Sequence, residues 1–140
     1  MDDINQRQVL SNRARGPPRS FNFDHVFWTG SSQYEVYQSM GEPLVDSLLA
    51  GFNVCLFGYG QTGSGKTYTM MGSDGENNRG IIPRFYSDLL HRLQKMKESG
   101  TIEALNCEVS YFEVYNERIY DLLRKSENQK ESPKERVANY

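Results

Sequence analysis

An α/β fold organised around a phosphate-binding loop is the class this sequence predicts, and three features predict it. Gly60-Gln61-Thr62-Gly63-Ser64-Gly65-Lys66-Thr67 matches the pattern G-x-x-x-x-G-K-[ST] throughout. The run Asn53-Val54-Cys55-Leu56-Phe57-Gly58-Tyr59 before it is short, apolar and bounded by turn residues, the pattern of a strand buried in a parallel sheet. A helix can follow, so strand, loop and helix come in the order the motif needs. In such a loop the glycines let the backbone wrap tightly, so that successive N–H groups point inward at an anionic phosphate. Lys66 is the cation that would reach the terminal phosphates, and the Thr67 hydroxyl would hold magnesium. The sequence therefore predicts a nucleotide binder whose cradle is Gly60, Gln61, Thr62, Gly63, Ser64, Gly65, Lys66 and Thr67.

The other elements follow from the amino terminus. Residues 1–20 are polar, with Gly16-Pro17-Pro18 as a breaker, and are expected to be mostly disordered. Phe21, Phe23 and Phe27 fall on one side of an alternating pattern, which predicts a strand with one buried face. Ser32 with Glu35 three residues later forms a capping box, and Val36, Met40, Leu44 and Leu48 recur at helical spacing as far as Gly51. Pro43 interrupts that pattern, so the helix should be kinked or broken within 39–43. A second helix is signalled by Pro83 in its first turn, by Phe85, Leu89, Leu93 and Met96, by Lys95 and Lys97 near its end and by Gly100 as terminator. Leu105, Cys107, Val109 and Tyr111 alternate as a strand ending near Asn116, with a helical turn expected through 118–123. Residues 124–136 are rich in Lys, Glu and Ser and read as a solvated tail.

Composition narrows the function less. The 140 residues suit one domain, and 37% hydrophobic content is low but compatible with a globular piece. A net charge of −2 gives no electrostatic case for nucleic acid, and neither a membrane span nor a secretory leader is visible. Cys55 and Cys107 lie in apolar runs and read as reduced core residues. His25, His91, Glu113 and Glu117 have no spacing that makes them catalytic, and Phe21, Phe23, Phe27 and Trp28 read as core rather than as a base-stacking platform.

Several stretches resemble the kinesin motor domain family, in the family's own order. Residues 57–72, Phe-Gly-Tyr-Gly-Gln-Thr-Gly-Ser-Gly-Lys-Thr-Tyr-Thr-Met-Met-Gly, look like its phosphate loop, with Gly58 where the family usually has Ala. Phe21-Asn22-Phe23-Asp24-His25-Val26-Phe27 is similar to its early strand. Val36-Tyr37, Pro43-Leu44-Val45 and Gly51-Phe52-Asn53 are similar to the helix that leads into the loop strand, and Gly80-Ile81-Ile82-Pro83-Arg84 to the start of a later helix. Residues 110–123, from Ser110 to Leu123, look like its strand-and-turn signature.

The resemblance covers 21–123 and implies a P-loop NTPase fold, the N-terminal part of a kinesin-type motor domain whose central, mostly parallel or mixed sheet is flanked by helices. It leaves 1–20 and 124–140 as disordered flanks. It implies ATP and ADP as ligands, Mg2+ as cofactor, microtubules (tubulin) as partner and a cytoplasmic, cytoskeletal location, with neither membrane nor nucleic acid as a partner. By the same resemblance Tyr68 matches a position whose ring packs on adenine; the other reading is a helix residue packing on neighbouring protein. The family's two switch segments, N-x-x-S-S-R-S-H and D-x-A-G-S-E, do not occur in the 140 residues. Its sheet also places strands from later sequence beside the loop strand, so the strands at 54–59 and 105–115 are expected to have unpaired edges. No catalytic residue is assigned. Two other readings remain open, an inactive nucleotide-binding or regulatory fragment and a small P-loop nucleotide kinase.

Overall fold

A computed structural model of the chain describes residues 8–11, 17 and 19–123. Residues 1–7, 12–16 and 18 and the tail at 124–140 lie outside the described residues. The chain divides into two compact units, Met1–Thr101 and Ile102–Tyr140.

In the first unit, strands β1 (Gln8–Ser11) and β2 (Arg19–Asn22) pair antiparallel, with Gln8 opposite Asn22 and Ser11 opposite Arg19. The N-terminal stretch expected to lack structure thus contributes a strand. The four residues of β2 are exposed, as are Phe23 and Trp28, whereas Val26 and Phe27 are half-buried. The one-sided burial expected of Phe21 and Phe23 is therefore absent, because a two-stranded ribbon with nothing on its faces has no interior.

Three helices form the packed part of this unit. Helix α1 (Gln33–Met40) opens with the capping box expected from the sequence: the Ser32 hydroxyl accepts from the Glu35 N–H, and the Glu35 carboxylate accepts from the Ser32 N–H at 2.6 Å. That backbone bond, followed by one from the Ser32 hydroxyl, holds the Glu35 carboxyl below its usual range. The chain breaks at Gly41 and resumes as α2 (Glu42–Leu49) with Pro43 in its first turn, inside the window that Pro43 predicted. Gly41 is buried and must be small, since a Cβ there would lie 2.4 Å from the Tyr37 ring. Helix α4 (Ile81–Glu98), which follows the short α3 (Lys66–Met70), packs against both. It ends as expected, with Lys95 and Lys97 in its last turn and Gly100 left-handed at φ 74°.

The buried stripe is displaced from the one the sequence suggested. Among the described residues of this unit, Tyr37, Val45 and Ile81 are the buried hydrophobic side chains, while Val36, Leu44 and Leu48 are half-buried and Met40 is exposed. Helix α4 takes the side of α1 and α2 that carries Tyr37 and Val45. Polar bonds reinforce that choice: the Tyr37 hydroxyl donates to Asp88 at 2.7 Å, and Arg92 grips Asp88 through Nε (2.9 Å) and a second guanidinium nitrogen (3.0 Å). Arg92 also bonds Asp46 and lies 3.5 Å from Glu42, so α4 is tied to both α1 and α2. The Arg92 bonds hold the Asp88 carboxyl below the usual range, and burial followed by the Asp88 contact pushes the Tyr37 hydroxyl well up.

The second unit contains a hairpin, β3 (Phe112–Tyr115) and β4 (Arg118–Asp121), with Tyr115 opposite Arg118. The helical turn expected through 118–123 is therefore wrong. Asn116 and Glu117 both adopt positive φ, 50° and 62°, which makes a two-residue reversal of the I′ kind, and that turn matches the twist of paired strands. The expected strand at 105–111 is irregular and exposed. No described helix is long and apolar enough to cross a membrane.

Candidate functional site

The loop at 60–67 leads into α3 (Lys66–Met70), a helix of five residues. Its shape follows from its glycines. Gly63 and Gly65 have φ of 80° and 89°, values open to glycine and costly for residues with a Cβ, and a Cβ on either would meet nothing within 4 Å. Neither of these two positions is crowded by neighbouring atoms. Ser64 N–H closes the turn on the Gln61 carbonyl at 3.2 Å, and Gly65 caps α3. Being the first residues of a helix, Lys66, Thr67 and Tyr68 have amides with no intrahelical acceptor, and the first bond of α3 runs from Thr69 N–H to the Gly65 carbonyl at 2.9 Å.

The expected site residues lie side by side on the loop and the start of α3. The Lys66 ammonium folds over the loop and donates to the carbonyls of Gly60 (2.7 Å) and Gln61 (2.8 Å). The Thr67 side chain is exposed, and among the described residues its hydroxyl has no hydrogen-bond partner. Thr62 and Ser64 line the exposed rim. Tyr68 is exposed too, at 51%. These features fit a phosphate and a divalent cation: open space before left-handed glycines, unspent amides, one cation on a flexible stem and one free hydroxyl.

The segment before the loop departs from expectation. Residues 52–60 form no strand, and Phe57 and Tyr59 are 82% and 95% exposed. A parallel strand exists only by bonding to neighbours, and among the described residues no strand pairs with this one. Cys55 and Cys107, expected in the core, are exposed for the same reason. Between this segment and α1 runs an open apolar groove lined by Phe27, Val36, Met40, Phe57, Tyr59 and Met70, with Ser64 and Lys66 at its rim.

The exit from α3 is held more firmly. Gly72 and Arg79 form an antiparallel bridge, and Gly80 N–H donates to the Met71 carbonyl at 3.0 Å. A Cβ on Gly72 would lie 2.1 Å from the Asn78 carbonyl oxygen, so both close approach and φ of 86° demand glycine there. Arg84 then ties the loop to α4, donating to the carbonyls of Arg79, Glu76 and Asn77, with its guanidinium 5.6 Å from the centre of the Tyr34 ring. Sequence reasoning placed Arg84 in a helix start but not as a clamp, since backbone carbonyls as acceptors leave no trace in residue types. It also missed Gln33, whose buried amide donates to the Tyr68 carbonyl at 2.6 Å.

Comparison with known proteins identifies the family. The family model of the kinesin motor domain matches residues 2–139. Among curated proteins, kinesin-like protein KIN-12D of Arabidopsis thaliana is 46% identical over 120 residues, covering 79% of this chain and 4% of that protein. The Drosophila kinesin family member NOD in complex with AMPPNP superposes with a TM-score of 0.69 at 34% identity, over 86% of this chain and 40% of that one. NOD has also been solved with divalent manganese and ADP, and docked with bovine tubulin into a map of its nucleotide-free complex with the microtubule. Each of these two gives a TM-score of 0.64 at 34% identity and covers 84% of this chain and 44% of that one. The chain spans a small fraction of its curated relatives and less than half of the solved motor domains. On the match across nearly its whole length and on the identities above 40%, this chain belongs to the kinesin motor domain family and carries its P-loop NTPase fold.

Proposed function

We propose that this chain is the ATP-binding part of a kinesin-like motor that moves on microtubules. The observation that supports the reading is the loop: a complete phosphate motif with unspent amides, Lys66 folded over it and the Thr67 hydroxyl free, in a chain of the kinesin family. Gly60, Gln61, Thr62, Gly63, Ser64 and Gly65 wrap the phosphates with backbone N–H groups. Lys66 exchanges its two carbonyl acceptors for phosphate oxygens, a charged bond that is stronger than the neutral acceptors it leaves. The Thr67 hydroxyl holds magnesium, which offsets phosphate charge when bound. Tyr68, exposed beside the loop, is free to pack on the base. Microtubules are the partner of the whole motor and its location is the cytoplasmic cytoskeleton. Kinesin membership leaves the small nucleotide kinase without support.

Lys66→Ala tests this reading. Loss of a charged hydrogen bond worth about 1.5–3 kcal/mol weakens binding of a fluorescent ATP analogue with magnesium by roughly tenfold to a hundredfold. Equal affinity of the two proteins would sink the assignment. Hydrolysis is a separate matter, because phosphoryl transfer needs a positioned water and charge around the γ-phosphate, which the loop alone does not supply. Without either switch segment, the 140-residue chain is expected to show no ATP turnover that rises when microtubules are added, and a steady-state phosphate-release assay at micromolar protein checks it.

A further inference from the structure

We propose that Gln33 is a positioning residue for the phosphate loop: from the start of α1, its buried amide holds the short helix that carries Lys66 and Thr67. The functional half of the proposal rests on the phosphate-binding reading given above; the structural half does not.

Gln33 is the buried polar residue among those described, at 6% exposure. A buried amide costs free energy unless it is bonded. Its Nε2 donates to the carbonyl of Tyr68 at 2.6 Å, across 35 positions of sequence. That carbonyl needs a donor. Helix α3 has five residues, too few to be stable alone, and the carbonyls of its last turn have no helical N–H to accept from. The amide four residues beyond Tyr68, that of Gly72, turns instead to the Thr67 carbonyl at 3.3 Å, as does that of Met71 at 2.8 Å. Gln33 supplies the missing bond.

Gln33 is itself held in place from two sides. The Ser32 and Glu35 box fixes the turn it sits in, and Tyr37, one turn on, is bonded to Asp88 of α4. The path from α4 through α1 to α3 is therefore continuous, and it ends two residues from Lys66. With the tie intact, the amides of Lys66 and Thr67 are already aimed before any phosphate arrives. Without it, binding must order α3 as well as capture the ligand, and affinity falls by the cost of that ordering.

Two substitutions in the 140-residue chain test this. Gln33→Met keeps length and apolar volume but removes the donor. Gln33→Glu keeps the shape and sets a carboxylate against a carbonyl oxygen. Both variants are expected to bind the fluorescent ATP analogue threefold to tenfold more weakly at neutral pH, and to speed hydrogen exchange at the Thr69 and Met71 amides while leaving Leu89 in α4 unchanged. On acidification the Glu variant regains affinity relative to the Met variant, because a protonated carboxyl donates again; simple loss of packing does not produce that divergence. Unchanged affinity with unchanged exchange in α3 overturns the proposal, as does exchange at Leu89 that rises in step with α3. If exchange in α3 rises but neither these variants nor Lys66→Ala alter binding, the tie stands and the phosphate reading falls.

Discussion

Helix α4 carries an apolar stripe and the segment at 52–60 an apolar run, yet one is built and the other is not. Helix α4 runs for 18 residues, docks on α1 and α2 and is clamped by Arg84 and Arg92. Residues 52–60 form no strand and expose Phe57 and Tyr59 almost fully. The difference is one of hydrogen bonding. A helix satisfies its own N–H and C=O groups within a few residues, so packing along one stripe suffices to hold it. A central strand borrows every bond from neighbours and every covering side chain from other layers, and without them it gains nothing from being extended. The hairpin β3–β4 shows the exception, because its own turn brings the partner along.

Hydrogen exchange puts that contrast to the largest test. Amides at Leu56 and Val109 are expected to exchange near the unprotected rate, and Leu89 in the middle of α4 to be slower by on the order of a thousandfold or more, since protection scales from nothing up to the global stability. Strong protection at Leu56 and Val109, together with a sharp cooperative melt of a monomeric chain, would break the comparison.

Removal of the Arg92 clamp comes next. Arg92→Ala takes bonds from Asp88 and Asp46, and a loss on the order of 1–3 kcal/mol is expected in denaturant melts at pH 7. Acid carries the same signature. The Asp88 carboxyl is held below its ordinary value, so its contribution is fully present above about pH 4 and is lost as pH falls through the lower folded value. The wild-type melting temperature should therefore fall on acidification below about pH 4, and that of Arg92→Ala should fall less. Parallel curves would show that the helical region is held by its apolar contacts alone.

Gly58→Ala is the smallest effect and locates the border between the two regions. A Cβ there would sit 3.8 Å from the Lys66 Cβ and the Met70 Cγ, ordinary contact distance. Restricting the unfolded chain should then add about 0.4–1 kcal/mol, read as a rise of a few degrees in melting temperature. No rise would mean that the backbone at residue 58 is not held even where it touches α3.

What the sequence determined alone was whatever is encoded within a few residues: the phosphate loop, the Ser32–Glu35 cap, the break before Pro43, the end of α4 at Gly100 and, through linked motifs, the kinesin family. These are short-range features, whose partners lie one turn away or in the loop itself. Tertiary structure decided the rest. It chose Tyr37 and Val45 over Val36 and Met40 as the buried side, because α4 docks there, and it made Gln33 and Arg84 into braces by setting backbone carbonyls before them. It also turned 118–121 into a strand, since the left-handed pair Asn116 and Glu117 folds the chain back onto β3. Above all it withheld strand structure from 54–59, where the residues favour a buried strand but no partner strand among the described residues supplies the bonds that one requires.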